Sequence, residues 1–227
     1  MHRRVLEAAE AAKPDIDRFI GSAEPGFLAG GRLVYLGAGI SGRLGVLDAS
    51  EATPTFQVDH GRVVGIIAGG DSSLRRSSEG AEDDPDGAVE ALTVLNLTSK
   101  DSVVGIAAGG TTPSVLGALA FVSNLSPDCR PVTCLISCTP LSTAPRGVDH
   151  LLTFAVGPEV ITGSTRIKAG TVTKVVLNTI STTLMVRLGK VCDNLMVDMR
   201  ASNEKLKDRA ARIVAALTQL DREASLV

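Results

Sequence analysis

A short apolar run at 33–36, Leu-Val-Tyr-Leu, meets Gly37, Gly39, Ser41 and Gly42, and an apolar pattern at helical spacing follows through Leu44 and Leu47. That order reads as a buried parallel strand turning directly into a helix. Such a turn suits an anion: glycine lets the backbone come close to a ligand, and the free N–H groups and positive dipole end of the new helix favour negative charge. Ser41 adds a hydroxyl donor to the same oxygens. The glycines also spell Gly37-x-Gly39-x-x-Gly42, the dinucleotide fingerprint, which needs an acidic residue at the end of the next strand, about 20 residues on. The next strand-like run, 63–68, passes Gly69 and Gly70 before reaching Asp71, so that reading is set aside and no cofactor is expected.

Before this turn, residues 4–21 carry Val5, Ala8, Ala9, Ala12, Ile16, Phe19 and Ile20 at helical spacing, broken or restarted at Pro14. After it, 63–68 reads as a second buried strand, with Asp71 or Ser72 suited to cap the helix behind it. Helical pattern returns at 86–95 and a third strand at 102–108. Gly109, Gly110, Thr111, Thr112 and Pro113 then form another phosphate-sized loop, with Thr112 placed as N-cap and Pro113 as first helical residue. Helix to about 123 is followed by a fourth strand at 131–138 and a fifth at 151–156. A long apolar helix over 163–188 and a charged amphipathic helix over 203–220 close the chain. Strands alternating with helices predict an α/β fold with a five-stranded parallel sheet covered on both faces, and binding sites outside the carboxyl ends of its strands.

The 227 residues, 44% of them hydrophobic, suffice for one sizeable core, and a single domain over 1–227 is expected. A formal charge of −2 gives no footprint for nucleic acid or an acidic membrane surface. One Tyr, five Phe and no Trp argue against a base-stacking platform. Cys129, Cys134, Cys138 and Cys192 show no metal-ligand spacing, so no metal site is expected and reduced, mostly buried thiols are. No signal-peptide core and no apolar run of about 18 residues is present, which makes a cytoplasmic location the default. His60 and His150 sit in predicted loops without a partner nearby in sequence.

The stretch 33–56 resembles the signature of the N-acetylmuramic acid 6-phosphate etherases, members of the sugar isomerase (SIS) domain superfamily. The resemblance continues through Val-Val-Gly-Ile-Ile-Ala-Gly-Gly (63–70), Glu-Gly-Ala-Glu-Asp-Asp (79–84), Gly-Ser-Thr-Arg-Ile-Lys-Ala-Gly-Thr (163–171), Asn-Leu-Met-Val-Asp (194–198) and Asn-Glu-Lys-Leu (203–206). It covers nearly the whole chain in order, and it implies an SIS-type three-layer sandwich, a homodimer with shared sites, and a chain trimmed at both ends relative to the family.

The resemblance also implies a chemistry. In an open-chain muramic sugar the C2 hydrogen is acidic enough for a carboxylate to remove, and a second carboxyl protonates the departing lactyl ether oxygen at C3; water then adds to the unsaturated aldehyde. By resemblance Glu51, in Asp-Ala-Ser-Glu, matches the family's proton donor and Glu82, in Glu-Gly-Ala-Glu, its base. Like charges at 79, 83 and 84 crowd Glu82, so the sequence leaves the two roles exchangeable. Read without the family, Glu51 is equally a solvated helix-end residue and 79–86 a solvated acidic loop. Gly39, Ser41, Gly42 and Arg43 in the first loop, Gly110, Thr111 and Thr112 in the second, and Ser164 ahead of the long helix are the phosphate- and sugar-binding candidates. Arg166 and Lys168 fit a capped interface helix equally well.

Where the family reads Ala-Ser-Gly-Arg-Thr-Pro, this chain reads Ala-Gly-Gly-Thr-Thr-Pro, so Gly109 replaces a hydroxyl donor and Thr111 a cation. One charged hydrogen bond to phosphate is worth roughly 1.5–3 kcal/mol. Ile40 also stands where a threonine is common. A phosphosugar-binding regulator without catalysis and a sugar-phosphate isomerase on the same fold are the alternative functions.

Overall fold

The computed structural model describes residues 2–76, 78–199, 201 and 203–218, without the side chains of His2 and Glu79. Strands β1 (Leu33–Gly37), β2 (Val63–Ile67), β3 (Ser102–Ile106), β4 (Val132–Ser137) and β5 (His150–Thr153) pair in the order β2-β1-β3-β4-β5, all parallel. Side chains of β1 alternate between two apolar layers. Leu33 and Tyr35 join the layer built by α1 (His2–Ala11), α2 (Lys13–Leu28), α3 (Gly39–Phe56) and α7 (Lys168–Arg187). Val34 and Leu36 join the layer of α5 (Val89–Val94) and α6 (Pro113–Ser123). The expected five-stranded sheet with helices on both faces is thus present, and among the described residues no helix is long and apolar enough to cross a membrane.

The N-terminal break predicted at Pro14 is a new helix start, with Pro14 in the first turn of α2, where its missing N–H costs nothing. Several boundaries differ from the sequence reading. The short helix α4 (Ser72–Arg75) has no side-chain cap from Asp71, and Ser72 Oγ donates back to the Gly69 carbonyl instead. Helix α5 starts at Val89, three residues inside the predicted 86–95, because 84–87 make a turn in which Asp84 Oδ1 accepts from Asp86 N. Helix α7 starts at Lys168 rather than 163. A two-residue turn at Asp193 and Asn194, with Asp193 at φ +52°, links the unpredicted hairpin strands β6 (Val191–Cys192) and β7 (Leu195–Met196). The last helix, α8 (Glu204–Thr218), is capped by Asn203 Oδ1, which accepts from Leu206 N at 2.9 Å; the predicted residues 219 and 220 lie outside the described residues. Cys134 and Cys138 are buried, but Cys129 and Cys192 are exposed, so the thiols are not mostly buried. His150 opens β5 and packs edge-on against Phe19, in a strand and not a loop.

Helix α3 lies unusually close to the sheet. A Cβ on Gly65 of β2 would stand 2.5 Å from Val46 Cα, backbone against backbone, so glycine is what allows the contact. At the opposite end of the sheet from the strands' carboxyl termini, Asp101 ties β1 to β3. Its carboxyl, 2% exposed, accepts from Arg32 N, Nε and Nη2 and from Thr98 N at 2.7–3.0 Å. Burial pushes the Asp101 carboxyl up, but the hydrogen bonds from Arg32 and Thr98 and the guanidinium charge outweigh it and hold the group below its ordinary value of 3.8.

Both contacts are open to measurement. Gly65→Ala will destabilise the fold by about 1–3 kcal/mol through overpacking, read as a lower midpoint in urea with an unchanged slope. A depressed folded value means that Asp101 contributes stability above pH 3.8 and loses it as pH falls through the lower folded value. Asp101→Asn will therefore lower the melting temperature at neutral pH by roughly 5–10 °C and flatten the stability curve below pH 4, as followed by circular dichroism.

Candidate functional site

Strands β1 and β3 are neighbours, with Gly37 beside Ile106, so the turns that follow them emerge side by side at the carboxyl edge. The first turn folds back on its own strand: a Cβ on Gly42 would lie 2.5 Å from the Gly37 carbonyl oxygen. Gly39 at φ +52° and buried Ser41 open α3 there, and the first N–H groups of that helix have no helical acceptor. In the second turn Gly110 takes φ +76° and its N–H donates to Ala107 O at 2.8 Å, which sends the chain into α6 past exposed Thr111. The start of α7 joins the same rim, since a Cβ on Gly170 would reach Ile40 Cγ1 at 4.0 Å.

The three helix ends are not equivalent. Both oxygens of Glu159 accept from the first N–H groups of α7, Lys168 N and Ala169 N, each at 2.9 Å. Buried Lys168 turns its ammonium to the Val156 carbonyl at 2.9 Å. This is why the helix predicted from 163 begins at 168: residues 159–167 form a loop closed by Glu159, with half-buried Ser164 donating its N–H to Ile161 O and Arg166 exposed. The α7 end already holds a carboxylate, and at α6 Pro113 has no N–H while Ser114 N donates to Glu82 O and Val115 N to Thr112 O, which leaves the end of α3 for an incoming anion.

Glu82 belongs to this rim. Its carbonyl accepts from Ser114 N at 3.1 Å, and its Oε1 accepts from Thr112 Oγ1 at 3.4 Å. The same acidic segment docks on α6 so closely that a Cβ on Gly117 would overlap the Pro85 carbonyl. Thr112 therefore spends its hydroxyl on Glu82 rather than capping its own helix as predicted, while Pro113 does take the first helical position.

Glu51 stands elsewhere. It follows Ser41 by ten residues along α3, about 15 Å down the helix axis from the rim. It is exposed, in the layer opposite to α6, where it lines a cleft between α3 and α7 with Leu44, Leu47, Asp48, Lys174 and Leu177. A single chain brings Glu82 beside the second turn but does not bring Glu51 to them.

Residues 16–123 match the domain family described as Glucokinase regulatory protein N-terminal SIS domain. The N-acetylmuramic acid 6-phosphate etherase of Gloeobacter violaceus is 53% identical over 98% of this chain and 72% of its own length. That of Pectobacterium atrosepticum is 52% identical over 96% of this chain and 71% of its own length. The chain belongs to the N-acetylmuramic acid 6-phosphate etherase family. Its fold is also that of an Escherichia coli CFT073 protein solved as a ligand complex, with a TM-score of 0.57 at 16% identity over 85% of this chain and 90% of the other.

Within this etherase chain, Arg43 has a different use from the one its sequence position suggests. Its Nε donates to Leu74 O, and its Nη2 to Ser73 O at 2.7 Å and to Arg76 O. The guanidinium clamps α4 to α3, with only Nη1 outside these bonds. Two residues of the etherase fold escaped the sequence reading. Ser114, in the first turn of α6, has a hydroxyl buried with no hydrogen-bond partner among the described residues. Asp48, 8% exposed, accepts from Tyr35 OH at 2.9 Å, Asn178 Nδ2 at 2.6 Å and Ser181 Oγ at 3.2 Å, and burial together with this carboxyl pushes the Tyr35 hydroxyl well above its ordinary value. Its signal in the sequence was a polar residue four positions after Leu44, on the apolar side of the helix.

Proposed function

We propose that this protein is a carbon–oxygen lyase that cleaves the D-lactyl ether of N-acetylmuramic acid 6-phosphate, giving N-acetylglucosamine 6-phosphate and D-lactate in the recycling of cell-wall amino sugars. The observation that carries this reading is the identity to named etherases at about half of all positions over nearly the whole chain. The phosphate sits on the first N–H groups of α3, with Ser41 and Thr111 as hydroxyl donors and the glycines at 39, 42 and 110 allowing close approach, while the Thr112 hydroxyl stays with Glu82. Arg43 ties α4 to α3 and is not the main phosphate ligand. Ser164 approaches the sugar from the loop before α7.

In the reaction, Glu82 takes the proton from C2, the C3–O bond breaks, and Glu51 gives a proton to the departing ether oxygen. Water then adds at C3 of the unsaturated aldehyde, and C2 regains a proton. Glu51 lies about 15 Å along α3 from the rim, so in this reading the site is completed by a second copy: the partner's α3 presents its glutamate to the rim that carries Glu82. A homodimer with two shared sites is the consequence.

A second reading, a phosphosugar sensor without catalysis, is favoured by one observation: Thr111 stands where the etherase pattern has a cation. It predicts phosphosugar binding with no lactate release.

D-lactate release from N-acetylmuramic acid 6-phosphate, followed with a coupled dehydrogenase, separates the two. The etherase reading predicts turnover by the wild type and a loss of at least about 1,000-fold in Glu82→Gln, with the melting temperature preserved. Binding without lactate overturns it. The shared site predicts complementation: Glu51→Gln and Glu82→Gln chains, each inactive alone, will recover about a quarter of wild-type activity when co-expressed, because half of the dimers are mixed and each mixed dimer holds one intact site. Co-expression that recovers nothing places both glutamates in the site of a single chain.

A further inference from the structure

We propose that Lys174 holds the carboxylate of the lactyl group beside Glu51, an assignment that rests on the etherase reading and adds a specificity residue to it. The cleft between α3 and α7 is small, about 170 Å³, and Leu44, Leu47 and Leu177 form its apolar walls. Three charged side chains line it: Asp48, Glu51 and Lys174. The Asp48 oxygens are engaged by Tyr35, Asn178 and Ser181. The side chains of Glu51 and Lys174 make no hydrogen bond or ion pair with each other or with any other described residue, although they share the cleft. Lys174 is exposed and follows the start of α7 by less than two turns.

The chemistry of the leaving group explains why such a cation belongs there. A group that protonates the ether oxygen must stand within hydrogen-bonding reach of it. One carbon joins that oxygen to both the lactyl carboxylate and the lactyl methyl. Any pose that puts the oxygen at Glu51 therefore delivers a carboxylate and a methyl into the same cleft. Against Glu51 and Asp48 alone, that carboxylate would meet only like charge. Lys174 supplies the opposite charge, and the leucines take the methyl. The product amino sugar has lost the lactyl group and offers Lys174 nothing, so this contact separates substrate from product without touching the phosphate.

The test compares wild type, Lys174→Met and Lys174→Arg on two substrates, the natural acid and its neutral lactyl amide. With the acid, Lys174→Met will raise KM roughly 10- to 100-fold, the worth of one charge-assisted hydrogen bond, with a smaller change in kcat. With the amide, Lys174→Met and wild type will match. Lys174→Arg will recover most of the acid KM. Equal losses on both substrates, or no loss on the acid, overturn the assignment. A wild type that releases no lactate from the acid overturns the etherase reading, and this assignment with it.

Discussion

The buried carboxyl of Asp48 joins three elements, and the arrangement of the rim depends on that join. A carboxyl taken out of water is costly unless its lone pairs are filled, and here they are filled by neutral donors alone: Tyr35 from β1 and Asn178 and Ser181 from α7. Substituting an apolar side chain would take this acceptor from all three, leaving Tyr35 only Leu177 O at 3.4 Å and Ser181 only Asn178 O at 3.5 Å, so the carboxyl favours this register of α3 against α7. That register is parallel. Ile40 lies beside Gly170 near the helix starts, and Asp48 beside Asn178 and Ser181 two turns on. Both helices must then open at the same edge of the sheet.

Once three helix starts share an edge, their charge has to be apportioned. Glu159 fills the α7 end from within the chain, and buried Lys168 fixes the backbone there through Val156. The first N–H groups of α6 are taken up as well, Ser114 N by Glu82 O and Val115 N by Thr112 O, so in the proposed site a phosphate meets the open start of α3. In the proposed site, position at a helix start stands in for a cation, with a threonine at 111 and an Arg43 whose donors go to carbonyls.

The parts of this design that were readable in the sequence are those set by local rules. The strand at 33–37, its glycine turn and the following helix were legible because period and glycine placement both act over a few residues. The sheet followed from five apolar runs separated by helical ones. What stayed hidden was decided by partners far along the chain. Arg43 reads as a phosphate ligand beside Ser41, yet its acceptors are about thirty residues later. Thr112 reads as a cap, yet Glu82 claims its hydroxyl. Helix α7 reads as starting at 163, yet Glu159, placed by the end of the sheet, sets the start at 168. Glu51 and Glu82 were singled out through the resemblance, but their separation was not legible: 51 and 82 are close in number and are divided by the sheet.

That division has a chemical consequence. Glu82 stands at the N-terminal end of α6, where the helix dipole presents positive charge. Glu51 stands in the C-terminal half of α3, where the dipole is negative, and shares a cleft with the Asp48 carboxyl. The two glutamates are thus held by different rigid elements, Glu82 at the start of α6 and Glu51 on α3 beside both Asp48 and Lys174. Bringing both to adjacent carbons of one sugar, as the proposed reaction requires, falls to the assembly of two chains and not to a movement within one.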